Sequence, residues 1–165
     1  MKKILFLILF LFFGVIFNKS ILASPNIFGL HLTQTQDLIS AKDIINSNGG
    51  DWDWVTIVIR TDQLDYRTWQ DFFDNCRRYH LIPIIRLATY SDNGNWKTPT
   101  FSDIDNLANF LHSLNWPIKT QYISLFNEIN HGQEWGGQVD VKNYVDISLY
   151  AINKFKSLNP NFFIL

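Results

Sequence analysis

A single cysteine, Cys76, stands among 165 residues, so no disulfide can form within the chain and its stability must come from a packed core. Cys76 lies at helical spacing from Phe72, Phe73 and Tyr79, which predicts a small buried apolar residue rather than a nucleophile or a ligand. Charge of one sign is equally scarce. Lys and Arg number 14 against 15 Asp and Glu, for a net charge of -1, and no basic cluster stands out. That removes the electrostatic footprint expected of a nucleic-acid-binding protein. Motifs for cofactors and metals are missing as well. Gly29-Leu-His-Leu-Thr33 is not the G-x-G-x-x-G of a phosphate-binding turn. His131-Gly-Gln-Glu134 lacks the H-E-x-x-H spacing and a third ligand, and Asp92-Asn-Gly-Asn95 has its glycine too early for an EF-hand loop and reads as a turn. The sequence predicts neither a cofactor nor a metal.

What is present begins with a leader. Met1-Lys2-Lys3, an apolar stretch over 4–17 and a small residue at Ala23 read as a secretory signal peptide, although Ile21 spoils the upstream position of the cleavage pattern. The apolar stretch is shorter than the roughly 20 residues that span a bilayer, and it holds no Cys for lipid attachment. Export with cleavage after Ala23 is therefore expected, with no lasting membrane span and one domain over 24–165.

Beyond the leader, apolar runs of strand length alternate with stretches of helical periodicity. Strands are expected to start near residues 27, 54, 82, 121 and 161. The run over 54–59 is β-branched and reads as buried on both faces. The helices between the strands carry Leu38, Ile39, Ile44 and Ile45; Trp69, Phe72, Phe73 and Cys76; Ile104, Leu107, Ala108, Leu111 and Leu114; and Val141, Tyr144, Val145, Ile152 and Phe155 as inward stripes. The first of them is expected to stop at Asn48-Gly49-Gly50, and Asp65, Ser102 and Asp140 read as caps of the other three. Strict alternation predicts an α/β fold with a parallel sheet and helical crossovers. A complete (β/α)8 TIM barrel takes roughly 250 residues. A doubly wound open sheet would share the alternation, but no Gly-rich phosphate loop follows the first run. The chain reads as a (β/α)8 barrel truncated after about the fifth strand, with a genuine half-barrel as the alternative.

The fourth run, Tyr122-Ile-Ser-Leu-Phe126, ends in Asn127-Glu128 and opens into a loop rich in Gly and polar side chains. Phe126-Asn127-Glu128 in this setting resembles the acid/base signature of glycoside hydrolase clan A, the barrel glycosidases that include the family 5 cellulases. The resemblance covers the chain from about Ile27 to Leu165, and the Asn-Glu pair is its only specific motif. It implies a retaining hydrolase of β-linked oligo- or polysaccharides. Glu128 would be the general acid/base, and Asn127 would hydrogen-bond the sugar 2-hydroxyl. The clan's nucleophile, a Glu ending the seventh strand, would lie beyond Leu165, so this chain alone is expected to be inactive by the retaining route. Glu134 and Asp62, on neighbouring rim loops, are the substitutes within the chain.

Other rim groups follow from position. His31, Arg60 and Arg86 end the first three runs and are expected to point into the cleft. The resemblance implies that such groups bind the catalytic carboxylates and the sugar. Trp96 and Trp135, on the loops after the third and fourth strands, are candidate stacking platforms for pyranose rings. Trp54 and Trp116 fall near strand entries and read as structural. A non-catalytic carbohydrate-binding barrel would keep the aromatic rim without the acid pair, and a barrel enzyme of unrelated chemistry would share the fold alone.

Overall fold

The computed structural model describes residues 29–48 and 51–165. The predicted leader, its cleavage point, the start of the first strand at Ile27 and the Gly49-Gly50 stop lie outside them. Strand and helix alternate as expected: β1 (Gly29–Leu32), α1 (Leu38–Ile45), β2 (Asp53–Arg60), α2 (Tyr66–Arg78) and β3 (Leu81–Ala88). A small hairpin, β4 (Ser91–Asp92) and β5 (Asn95–Trp96), precedes α3 (Phe101–Ser113), and β6 (Gln121–Ser124), α4 (Val141–Leu158) and β7 (Phe162–Ile164) complete the series.

The five long strands form one parallel sheet in the order β1-β2-β3-β6-β7, the order of the chain itself. Crossovers between parallel strands are right-handed, so a sheet that never reverses its order carries all its helices on one face. A doubly wound sheet reverses, and gains helices on both faces. Burial follows the singly wound layout. In β2 and β3 every second residue is fully buried and those between are half-exposed. Val55, Ile57, Ile59, Leu81, Ile85, Leu87, Ile123 and Phe162 belong to the same core as the helix residues. The opposite face presents Trp54, Thr56, Val58, Ile84, Arg86 and Tyr122, none fully buried. The expected burial of β2 on both faces is thus corrected, because no helix among the described residues covers the second one.

The helices bury what their spacing dictates, with four corrections. In α2 the stripe Trp69, Phe72, Phe73 and Cys76 recurs at i, i+3, i+4 and i+7, and Asp65 caps it by accepting from the Thr68 amide at 2.8 Å. Burial of the Cys76 thiol pushes its pKa far up, as suits an inert core residue. In α1 Ile39 and Ile44 are exposed, and Leu38, Ala41 and Ile45 make the buried stripe. Leu114 is buried but follows α3 instead of extending it. The cap of α3 is Thr100, not Ser102, because Thr100 and Asp103 form a reciprocal capping box, with Asp103 accepting from the Thr100 amide at 2.8 Å.

The fourth correction concerns α4. Ile147, Ser148, Ala151 and Phe155 face the sheet, while Val141, Val145 and Ile152, expected inside, are exposed together with Leu149. At 3.6 residues per turn these two stripes lie roughly 100° apart. Tyr150 and Lys154 of α4 reach Asp105 of α3 at 2.9 and 3.1 Å, so α3 covers the other flank. The helix therefore has a second apolar flank, on the side away from α3, with nothing among the described residues packed on it.

One buried acid has no counterpart. Asp53 begins β2 on the helix side, 0 % exposed, and neither carboxyl oxygen has a hydrogen-bond partner among the described residues. Desolvation pushes its carboxyl above the usual range. A raised pKa means that the folded protein holds the proton more tightly, so the stability present below the ordinary value of about 3.9 is lost as pH rises through the folded value. Asp53→Asn cannot ionise. Its melting temperature is expected to exceed the wild type's near pH 7, and that advantage to shrink toward about pH 4, as melting curves at both pH values would record.

Candidate functional site

The C-terminal rim of the sheet carries the loops that follow β1, β2, β3 and β6, and the last two frame one hollow. The one after β3 is the hairpin, turned by Asn93 and Gly94, both at positive φ. Two successive positive-φ residues make the tight turn whose twist matches antiparallel strands, and Asn-Gly supplies it at low cost. The expected turn is present; the flanking short strands were not anticipated. The Thr89 hydroxyl donates to the Lys97 carbonyl, and the Lys97 amide to the Tyr90 carbonyl at 3.0 Å, closing the hairpin base.

The loop after β6 leaves the strand at Leu125. Phe126 then takes a left-handed conformation, φ 43°, rare for a side chain branching into a ring. Such strain persists only where the surroundings hold it. Here the Phe126 ring packs edge-on against Trp135, centroids 5.3 Å apart, and Trp135 packs against Tyr144 of α4 and donates from Nε1 to Asn143 Oδ1 at 3.1 Å. Trp135 is only 1 % exposed. Its predicted role as an open stacking platform is corrected: the ring is an anchor that fixes the loop to α4.

The two loops are tied together, since the Gly136 amide donates to the Trp96 carbonyl at 2.8 Å. Gly136 has φ 69°, and a Cβ there would run into the Thr98 hydroxyl. Gly136→Ala is expected to cost about 1–3 kcal/mol through backbone strain and the clash, read as a lower melting temperature and faster proteolytic cutting between 126 and 140.

Between these loops lies a cavity of about 220 Å3, lined by Arg86, Trp96, Lys97, Phe126, Asn127, Glu134 and Trp135 among others. Arg86 rises from the uncovered face of β3, two residues before its end, and donates from Nη1 to Asn127 Oδ1 at 2.8 Å. That bond joins two predicted site residues 41 positions apart in the chain. It also orients the amide, because an oxygen turned to Arg86 leaves the Asn127 NH2 group for a ligand.

A second, wider cleft of about 720 Å3 runs over the ends of β1 and β2 and includes His31, Gln34, Arg60, Gln63 and Trp96. The register puts His31 level with Thr56 and Arg86 level with Val58, so both stand on the uncovered face, as does Arg60 beside Ala88. Arg60 is turned to Asp62, with Nε at 2.9 Å and Nη2 at 2.5 Å, and this bidentate pair engages Asp62 as well. Desolvation, and then the charge of Arg86, hold the His31 imidazole below its usual pKa, so the ring favours its neutral form at the rim. Trp96 is half-buried and borders both hollows.

The structure thus gathers Arg86, Trp96, Asn127 and Trp135 about one cavity, and His31, Arg60 and Trp96 about another. Glu128 stands apart. It follows Asn127 directly on the rim loop, but it is exposed, lines neither hollow, and makes no side-chain hydrogen bond among the described residues. The expected apolar mouth around it is not supplied by those residues. Trp116, by contrast, is buried at the opposite end, donating from Nε1 to the Leu111 carbonyl at 2.9 Å, the structural role expected of it. Trp54 meets Tyr122 edge-on at 5.2 Å on the uncovered face.

Lys97 had no signal in the sequence, because its place in the site comes from the hairpin fold, and Phe126 was read only as a strand-end residue of the motif, its positive φ unforeseen. Glu134 was weighed as a substitute nucleophile and, with His131, as a metal ligand, not as a group lining a cavity. Among the described residues no group of three or more His, Cys, Asp or Glu gathers as a metal site, and no helix is long and apolar enough to cross a membrane. No protein-family model matches the chain, and no curated protein matches it significantly.

Proposed function

We propose that the chain is the N-terminal part of an exported, retaining glycoside hydrolase with a (β/α)8 barrel, similar to clan A cellulases and acting on β-linked oligo- or polysaccharides. The observation that carries this reading is the Arg86–Asn127 hydrogen bond at the C-terminal rim of a singly wound parallel sheet, with Glu128 next in the chain. Active sites of parallel barrels occupy that rim. A singly wound sheet with its helices outside has the layout of a barrel sector, and its uncovered face is the one a closed barrel would turn inward.

In this reading Glu128 protonates the departing glycosidic oxygen and then takes a proton from the incoming water. The NH2 group of Asn127, held by Arg86, donates to the sugar hydroxyl beside the reacting carbon. The nucleophilic carboxylate comes from a strand other than the seven described, one that continues the sheet beyond β7. The half-exposed inner face and the free apolar flank of α4 support such a continuation. Asp62 is a poor substitute because Arg60 already holds both its oxygens.

A second reading has its own support. Glu128 lines neither hollow, whereas Trp96, Arg86 and Asn127 do, which suits a carbohydrate-binding barrel without catalysis. Release of reducing sugar from β-glucan, mannan and xylan by protein that includes the continuation separates the two. Hydrolysis supports the enzyme, and binding without hydrolysis supports the second reading.

A further inference from the structure

The smaller cavity contains a carboxylate for which the hydrolytic scheme has no use. We infer that Glu134 is the specificity-determining acceptor for a single sugar ring held in that cavity, an inference that rests on the carbohydrate reading above.

Size comes first. At about 220 Å3 the cavity falls below the roughly 300–1,000 Å3 of ordinary ligand pockets, so it takes one ring rather than a length of chain. A hydrogen-bond census comes next. Arg86 and Lys97 can only donate, and Asn127 offers its NH2 group because its oxygen accepts from Arg86. The Thr89 hydroxyl gives its hydrogen to the Lys97 carbonyl and keeps only acceptor capacity, on a residue 3 % exposed. A sugar hydroxyl both donates and accepts, so a ring met mainly by donors would leave its own hydrogens unpaired. Glu134 is the one carboxylate lining the cavity, and among the described residues its oxygens accept no hydrogen bond. It supplies the missing half of the pattern.

Position is the third ground. Glu134 ends the short turn Gly132–Glu134, where its amide donates to the His131 carbonyl at 2.9 Å. The Trp135 and Gly137 amides both donate to the Gly132 carbonyl, at 3.0 and 2.8 Å. The next residue is the buried Trp135 anchor, and Gly136 is tied to Trp96. The backbone of Glu134 is therefore held on both sides, and a preorganised acceptor discriminates hydroxyl patterns better than a mobile one. Equatorial and axial hydroxyls reach different points of the wall, so an acceptor carried on this held backbone favours one configuration.

The test uses the full chain and three probes, cellotetraose, mannotetraose and xylotetraose, followed by calorimetry and tryptophan fluorescence. The wild type is expected to bind one of them in preference to the others. Glu134→Gln, which exchanges an acceptor oxygen for a donor, is expected to weaken that binding about ten- to a hundredfold and to level the preference, with the melting temperature unchanged. Glu134→Asp, which keeps the charge, is expected to retain more affinity than Glu134→Gln. Wild-type affinity and preference in Glu134→Gln, or an inverted order of the two variants, overturns the inference while leaving the carbohydrate reading standing. Failure of the wild type to bind any of the three overturns both.

Discussion

Glu128→Gln is expected to lower glycoside hydrolysis by about 10²–10⁴-fold in protein that carries the second carboxylate, while leaving the melting temperature where it was. Proton transfer by a positioned acid contributes that much, and glutamine keeps the shape of the side chain without a proton to give. The stability half of the expectation follows from the surroundings. Glu128 is exposed and makes no side-chain hydrogen bond among the described residues, and such substitutions stay within about 0.5 kcal/mol. The measurement is a rate of reducing-sugar release beside a thermal melt of each protein. A rate near that of the wild type sinks the assignment of Glu128. A lost rate with a collapsed melt would mean that the residue holds the loop instead of the proton.

Phe73→Ala is expected to destabilise the protein by about 3–5 kcal/mol, the range for a large aromatic side chain removed from a packed core. Phe73 is 0 % exposed on α2, and its ring lies 4.5 Å from that of Trp116 in the segment leading to β6. Trp116 meets Phe162 of β7 at 6.0 Å, and Phe162 meets Phe155 of α4 at 5.0 Å. This row of rings joins the second, fourth and fifth strand–helix units across the helix side of the sheet. Removing its first member leaves a cavity that Trp116 cannot fill while its Nε1 remains bonded to Leu111. With one cysteine and no disulfide, nothing covalent makes up the difference. At about 2–4 °C per kcal/mol the melting temperature falls by roughly 6–20 °C. A drop of a degree or two would show that the aromatic row contributes little.

The rim shows how differently two kinds of site residue are encoded. Arg86 and His31 were legible as strand-end residues because the extent of an apolar run is a local property, and the register of the sheet then put both on one face. The hydrogen bond from Arg86 to Asn127 spans 41 positions, and no pattern within either segment announces it. Trp135 misled for a related reason. An aromatic residue in a Gly-rich loop reads as a rim platform, yet its exposure depends on whether a neighbouring element claims the ring, and Tyr144 and Asn143 of α4 do so. The stripes of α4 make the same point. Periodicity marks which residues share a face, and neighbours determine which of two apolar faces is covered.

By itself the sequence determined the alternation of five strands and four helices, the caps at Asp65 and Asp140, the inert Cys76 and the turn at Asn93-Gly94. Each rests on interactions within about a dozen residues, where propensity and hydrogen-bond chemistry act locally. The tertiary structure alone decided that the sheet is singly wound with one face left uncovered, that Trp135 is an anchor and Trp96 a wall between two hollows, and that Glu134 rather than Glu128 lines the smaller one. Those outcomes depend on which distant segments come to lie side by side, and long-range packing is not written in any single stretch of the chain.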